Sequence, residues 1–536
     1  MPTPTTIRPW RPIYRNPAAP GQLVQPKEFF NPPSGLNTTA PISRVDPSEA
    51  TSLHNLRMDG GWLTQRPGIT PYGSTSSDAI VHALVFTSAD GTEWLCRWTT
   101  TKVQYWSGTV WSNFTGSGFT VTEDAIISTA VWGDKLMFTD NTSGLWQIDF
   151  VASTYTHLTN APICRQVSMF DRRAVLSYVS ETVGGLQATR IRWSVKDDNN
   201  DYSGLGSGYE DLVSSSASIV DSQIGVYPIN DIDALVVRGG SIWKMSITGY
   251  YDAPFSFLLL FPNIRTDAPQ GTIAIPGGIA VLGRDDVFLV MGGGPQSVGA
   301  KIRTTLFDPS NDLANAVMQW DDLYKRLILY VPKLVKDGYS NVYHYYVNDG
   351  KWTQDIYHFN IKYLSLISYA SGTAIGDLVG MISDLTGTII GLTSAAINRG
   401  LLYTTLGANG IVCKEDINST TDLDGTGAQA VMPILAQTGM IFPATIFEKV
   451  SIIELRFEYE AAKDTTLLIE YSADGGNTWT TYSTVALLAT TKPTVAKVTT
   501  SLERDSIMFR CSSTDTLGFS LNSFVPWIQL GAEVLI

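Results

Sequence analysis

Along most of the chain, apolar and polar residues alternate with a period of two, in short runs broken by turn residues such as Gly and Asp. That alternation marks half-buried β-strands joined by tight turns. ALVFTSADGTEWLCRW (83–98), STAVWGDKLMFTD (128–140) and VSMFDRRAVLSYV (167–179) each read as two strands around one turn. So do DALVVRGGSIWKMSI (233–247), GIAVLGRDDVFLVMG (278–292) and VMQWDDLYKRLILYV (317–331), with LISYASGTAIGDLVGMI (366–382) as a weaker seventh. Turns near 90, 133, 171, 239, 285, 322 and 371 are spaced 43, 38, 68, 46, 37 and 49 residues apart. Five of these six intervals lie near the ~40–50 residues of one four-stranded propeller blade. The interval of 68 contains SVKDDNNDYSGLGSGYEDLVSSSAS (194–218), which reads as a long polar loop projecting from one face. The pattern predicts an all-β fold, a β-propeller of six or seven blades over 51–435.

Two other textures flank it. From 436 to 536 the strands are longer and alternate steadily, as in KVSIIELRFEYE (449–460), TTLLIEYSADGGNTWTTYSTV (465–485) and DSIMFRCSS (505–513). They predict an appended C-terminal β-sandwich. Residues 1–50 hold 11 of the 26 prolines, which predicts an extended N-terminal arm without a core of its own. Trp10, Tyr14, Phe29 and Phe30 lie within it, and a purely solvated linker has no need of aromatic anchors. Arg8, Trp10, Arg11, Tyr14 and Arg15 are therefore the candidate contacts to a neighbouring subunit.

Charge narrows the function. The net charge is −13, and residues 1–27 carry Arg8, Arg11, Arg15 and Lys27 and no acid, so the body is more acidic still. An acidic body argues against a protein that grips DNA through phosphate neutralisation, though not against one that DNA slides past. Cys96, Cys164, Cys413 and Cys511 show no metal or redox spacing and are expected to be free and buried. The opening MPTPTTIRPWRP lacks the apolar segment of a signal peptide, and FSFLLLFP (255–262) is too short to span a bilayer.

Candidate chemistry is sparse. SADGGNTW places Ser472, Asp474, Gly476, Thr478 and Trp479 in an S-x-D-x-G-x-T-W pattern that resembles the Asp-box of sialidases. There the Asp and Ser close a hairpin by bonding turn amides, and Gly takes a positive φ. The box is structural in the families that carry it, so a sialidase-like glycan hydrolase is the least favoured reading. Asp197, Asn199 and Asp201 alternate like the first ligands of a calcium loop, but Tyr202 and Gly208 stand where Gly and Glu are required. The five histidines form no metal spacing, and neither a phosphate loop nor a nucleophile elbow is present. No enzymatic activity and no cofactor are expected.

PSEATSLHNLRMDGGWLTQRPGITPYG (47–73), TRIRWSVKDDNNDY (189–202) and SNVYHYYVNDGKWTQ (340–354), in that order, resemble segments of the tail nozzle, or tail hub, proteins of short-tailed bacteriophages. The resemblance implies a virion structural protein made in the host cytoplasm, forming a hexameric ring in the viral tail. Double-stranded DNA would pass through the ring without specific binding, and an adaptor, fibres or a needle would adjoin it. It further implies that Asp59, Gly60, Gly61, Trp62, Arg66, Pro67 and Gly68 form the turn by which the chain enters the propeller. Asp197, Asp198 and Asp201, in the long polar loop, are the candidate gate that retains the genome. The alternative is a receptor- or glycan-binding protein at the tail tip.

Overall fold

The computed structural model describes residues 24–26, 28–31, 33–213, 222–336, 338–371, 396–405, 410–416, 419, 421–423, 429–442, 449–514 and 519–530. Among them the chain is nearly all β, with one four-residue α-helix (Arg303–Leu306) and three short 3-10 turns.

Seven four-stranded antiparallel sheets follow one another along the chain. Six are simple meanders, from Ile80–Thr87 in the first to Lys351–Tyr357 in the sixth. The seventh takes Ile361–Ser371, Ala396–Thr405 and Val412–Asp416, and its outer strand is Gly68–Pro71, from far upstream. The first strand of each sheet packs beside that of the next from the second sheet to the seventh, and Ile361–Ser371 packs on Ile80–Thr87 of the first. Residues of the first and second sheets share one hydrophobic cluster, including Trp98, Phe138 and Trp146, which closes the circuit.

The hairpins form where the alternation places them. Ser128–Trp132 pairs with Lys135–Thr139 around Gly133, whose φ of 57° supplies the left-handed twist of a two-residue turn. The described part of the seventh hairpin is the strand Ile361–Ser371; residues 372–382 lie outside the described residues. The interval of 68 has a further cause besides its polar stretch. In the third sheet the recognised hairpin joins strands one and two, whereas in the fourth and fifth it joins strands two and three. The polar stretch itself is largely built into the third sheet. Tyr202 is buried, Gly208–Asp211 is that sheet's fourth strand, and Leu212 lies in the core beside it; 214–221 lie outside the described residues.

The C-terminal strands do not stand apart. Val450–Ala461, Thr490–Arg504 and Ser520–Leu530 form a sheet that also takes in Val24–Pro26 and the hairpin Leu56–Asp59/Trp62–Gln65. A second sheet joins Ser52–His54 to Ile434–Gln437, Met508–Ser513, Thr465–Ser472 and Thr480–Leu487. Residues 51–65, expected in the propeller, therefore belong with the C-terminal strands. Part of the expected arm is likewise core, because its phenylalanines find apolar partners: Phe29 and Phe30 are buried, and the Phe29 ring lies 6.1 Å from Phe524. Arg8, Trp10, Arg11, Tyr14 and Arg15 lie outside the described residues. One continuous cluster runs from Phe457 and Phe524 through Leu36 to Trp352, Leu327 and Ala280 of the fifth and sixth sheets.

Segment 56–73 thus crosses between the two groups of sheets, and Gly68 sits at the crossing. A Cβ on Gly68 would lie 2.5 Å from the Thr421 carbonyl oxygen and 2.6 Å from that of Ser419. Both obstacles are backbone, so Gly68→Ala is expected to destabilise the chain by about 1–3 kcal/mol, read from urea unfolding.

Candidate functional site

The densest group of ionisable side chains is buried at this crossing. Arg57 projects from Leu56–Asp59, Arg66 follows Trp62–Gln65, and Asn55 precedes both strands. Arg326, His344, Asp355 and Tyr357 come from three strands of the sixth sheet, and Tyr403 and Glu415 from two of the seventh. All of them are buried.

Arg57 lies between two carboxylates. Its Nε donates to Asp355 Oδ2 at 2.8 Å and its Nη1 to Glu415 Oε2 at 3.3 Å, while Nη2 serves both acids. Asp355 Oδ2 also meets His344 Nε2 at 2.7 Å. Glu415 accepts from the Tyr403 hydroxyl at 3.1 Å and from the Leu401 amide at 3.0 Å. Arg66 Nη1 donates to Asp422 Oδ1 at 2.9 Å, its Nη2 reaches Asp422 Oδ2 and the Ile356 carbonyl, and its guanidinium lies 4.1 Å from the centre of the Tyr357 ring. Asn55 holds a left-handed φ of 57°, and its side chain joins three segments. Its Oδ1 accepts from Arg66 Nε and the Ile356 amide, and its Nδ2 donates to the Pro433 carbonyl. Arg326 pairs with Asp321 at 2.9 Å.

Burial raises the cost of every charge here, and pairing decides which charges persist. Burial alone would push Asp355 up, but Arg57 and His344 hold its carboxyl far below the usual carboxylate range. Glu415 is held down against the same burial by Arg57. His344 is lowered to about 4, chiefly by desolvation, with Asp355 opposing. Asp355 and Glu415 therefore stay ionised, with His344 neutral at pH 7, whereas burial pushes the Asp422 carboxyl up against the pull of Arg66. Its groups bond to one another inside a packed interior, so its chemistry is that of a lock between sheets.

Of the residues expected to act at the opening turn, the structure brings Arg66 into the cluster and sets Gly68 beside it. Asp59, Gly60, Gly61 and Trp62 form the tip of the hairpin in the C-terminal sheet, with Asp59 paired to Trp62. Pro67 supplies a carbonyl to Arg66. The proposed gate carboxylates are engaged close to the third sheet. Asp197 pairs with Arg172, Asp198 accepts from the Asn200 amide, and Asp201 accepts from the Ser203 and Gly204 amides. The Asp-box forms the expected hairpin. Gly476 N donates to Ser472 Oγ, Thr478 N to Asp474 Oδ1, and Gly476 has a φ of 89°. Trp479 is half-buried beneath Arg510, whose guanidinium lies 4.4 Å from its ring.

A second feature lies on the axis of the seven sheets. Ser128, Gln166, Tyr227, Thr272, Gln319 and Tyr363, from six successive sheets, line a cavity of about 240 Å³. That is below the ~300–1,000 Å³ of typical ligand pockets.

No protein-family model matches the chain, and no curated protein matches it in sequence. Among solved structures it is similar to the extracellular domain of a putative hybrid two-component system, BT4673, from B. thetaiotaomicron, with 10% identity and a TM-score of 0.38. That match covers 75% of this chain and 45% of the other, so the chain spans under half of that structure. It is also similar to BamB from Moraxella catarrhalis (9% identity, TM-score 0.36, 68% of this chain and 95% of that one). A third is YCF48 from Cyanidioschyzon merolae (11% identity, TM-score 0.33, 65% and 98%).

Proposed function

We propose that this chain is a virion structural protein, the subunit of a tail nozzle ring of a short-tailed bacteriophage, through which the genome is retained and then ejected. In this reading the seven sheets are the blades of a β-propeller, closed by Gly68–Pro71, and the two C-terminal sheets are a β-sandwich fused to its side. The observation that carries the reading is where the resemblance falls. Segment 47–73, the first of the resembling stretches, contributes strands to both groups of sheets and supplies Arg57 and Arg66 to the buried lock. A subunit that withstands packaged DNA needs its parts tied into one rigid piece, and buried, multiply bonded ion pairs do that.

The duplex would run along the ring axis between subunits. The chain's net charge of −13 multiplies with every copy, so phosphates are repelled from the walls. Residues 1–23, with Arg8, Arg11 and Arg15, would be the strap to the adaptor or a neighbouring subunit. The chain would act without cofactor or catalysis.

Adding the purified protein to DNA-filled heads assembled without it tests this. Full-length protein is expected to restore DNA retention, and a chain lacking residues 1–23 to remain folded but fail. Heads that keep their DNA equally well without the protein would refute the proposal.

A further inference from the structure

The outermost strands of the seven sheets differ in one respect. Exposed sheet edges invite pairing with other chains, and proteins blunt them by shortness, charge, proline or cover. Trp111–Asn113 has three residues and Thr154–His157 has four. Gly208–Asp211 carries Glu210 and Asp211, and Gly294–Ser297 contains Pro295. Lys351–Tyr357 is long, but Ser52–His54 and Leu56–Asp59 pack beside it, and Gly68–Pro71 is covered by Thr421–Leu423.

The fourth sheet lacks all four, although its outer strand is bulged at Leu260, where the register against Ser241–Ile247 shifts. Its outer strand Phe255–Pro262 (FSFLLLFP) runs eight residues with no charge, and proline only at its last position. It pairs with Ser241–Ile247 on one side and, among the described residues, with no strand on the other. Leu258 is 61% exposed and Leu259 42%, with Tyr250 and Tyr251 exposed just upstream. Phe257 faces inward toward Trp193, and Phe261 packs with the apolar cluster between the fourth and fifth sheets.

We infer that Phe255–Pro262 pairs antiparallel with the same strand of a second copy of this chain, forming a two-fold dimer in solution. The sequence is its own complement about Leu259. Antiparallel pairing centred there sets Phe257 opposite Phe261, Leu258 opposite Leu260, and Leu259 opposite its symmetry mate. Charge agrees with this at the ends: exposed Asp252 precedes the strand and exposed Arg265 follows it, so each copy brings its acidic end to the other's basic end. Two-fold contacts are isologous, so one self-complementary patch suffices. Main-chain hydrogen bonds supply the pairing, and the leucines and phenylalanines set the register.

The inference does not rest on the nozzle reading, because a two-fold contact joins subunits without closing a six-fold ring. Sedimentation of the full-length protein in the micromolar range is expected to give a dimer, and Leu258→Lys a monomer with unchanged circular dichroism. Cross-linking then fixes the register. All four native cysteines are buried, so an introduced thiol reports alone. Leu259→Cys should form an intermolecular disulfide on mild oxidation. Ser256→Cys should not, because its mate would lie six residues along the strand, about 20 Å away. A monomeric wild type, or equal cross-linking at both positions, would overturn the inference.

Discussion

Replacing Arg57 with alanine is expected to cost about 3–5 kcal/mol of stability, because it leaves Asp355 and Glu415 buried without the cation that holds both ionised. The two acids would then repel one another inside the protein, and one would have to take up a proton or draw in water. Arg57→Lys should recover little, since one ammonium cannot reproduce a fork that donates to two carboxylates. Urea unfolding at pH 7 measures this. A loss within about 1 kcal/mol, the scale of an exposed ion pair, would show that the cluster is not the lock described here. A cycle of Arg57→Ala, Asp355→Asn and both together should be strongly non-additive, since the second change removes the charge that the first leaves stranded.

Acid is the second strong test. His54 and His344 are each lowered to about 4 and His82 to about 3, in every case chiefly by burial. Between the unfolded value near 6.5 and these folded values, the unfolded chain binds protons that the folded chain refuses. Stability from the three histidines is therefore complete above about pH 6.5 and falls as pH drops through this window. At pH 4.5 the loss is roughly 2.5 kcal/mol per histidine and about 8 kcal/mol together. The depressed carboxyls of Asp355 and Glu415 act lower: their contribution is present above the ordinary carboxylate range and is lost only at more acidic pH. Urea midpoints at pH 7, 5.5 and 4.5 should fall steadily, and the double variant His82→Phe/His344→Gln should lose about two thirds of that slope whatever its starting stability. A slope unchanged in the double variant would show that the histidines do not carry it.

Much of the fold was legible because it is local. Strand–turn–strand units such as STAVWGDKLMFTD contain both their alternation and their turn, so Ser128–Thr139 could be read without knowing its neighbours. The Asp-box was legible for the same reason, since its hydrogen bonds close within a few residues. What joins distant segments was hidden. Gly68–Pro71 pairs with Val412–Asp416, more than three hundred residues away, and Trp62–Gln65 pairs with Ser520–Leu530; neither strand carries a mark of its partner. Phe29 and Phe30 sit on a proline-rich stretch whose composition outweighed its aromatics, although they are core.

The buried lock was the least visible feature. Arg57, Asp355 and Glu415 are scattered and obey no motif spacing, because their geometry is set by three sheets meeting. One signal was present: Asp355 in WTQDIY and Arg326 in RLILYV are the lone charges of otherwise apolar or uncharged runs. A charge held there needs a partner, which sequence alone does not name.

The proposed nozzle role is tested most directly by where this chain resides. If the chain is the proposed nozzle subunit, gold-labelling phage particles with an antibody to it is expected to place label on the tail axis below the head, with six copies per particle. Label on peripheral fibres, or on no part of the particle, would contradict it.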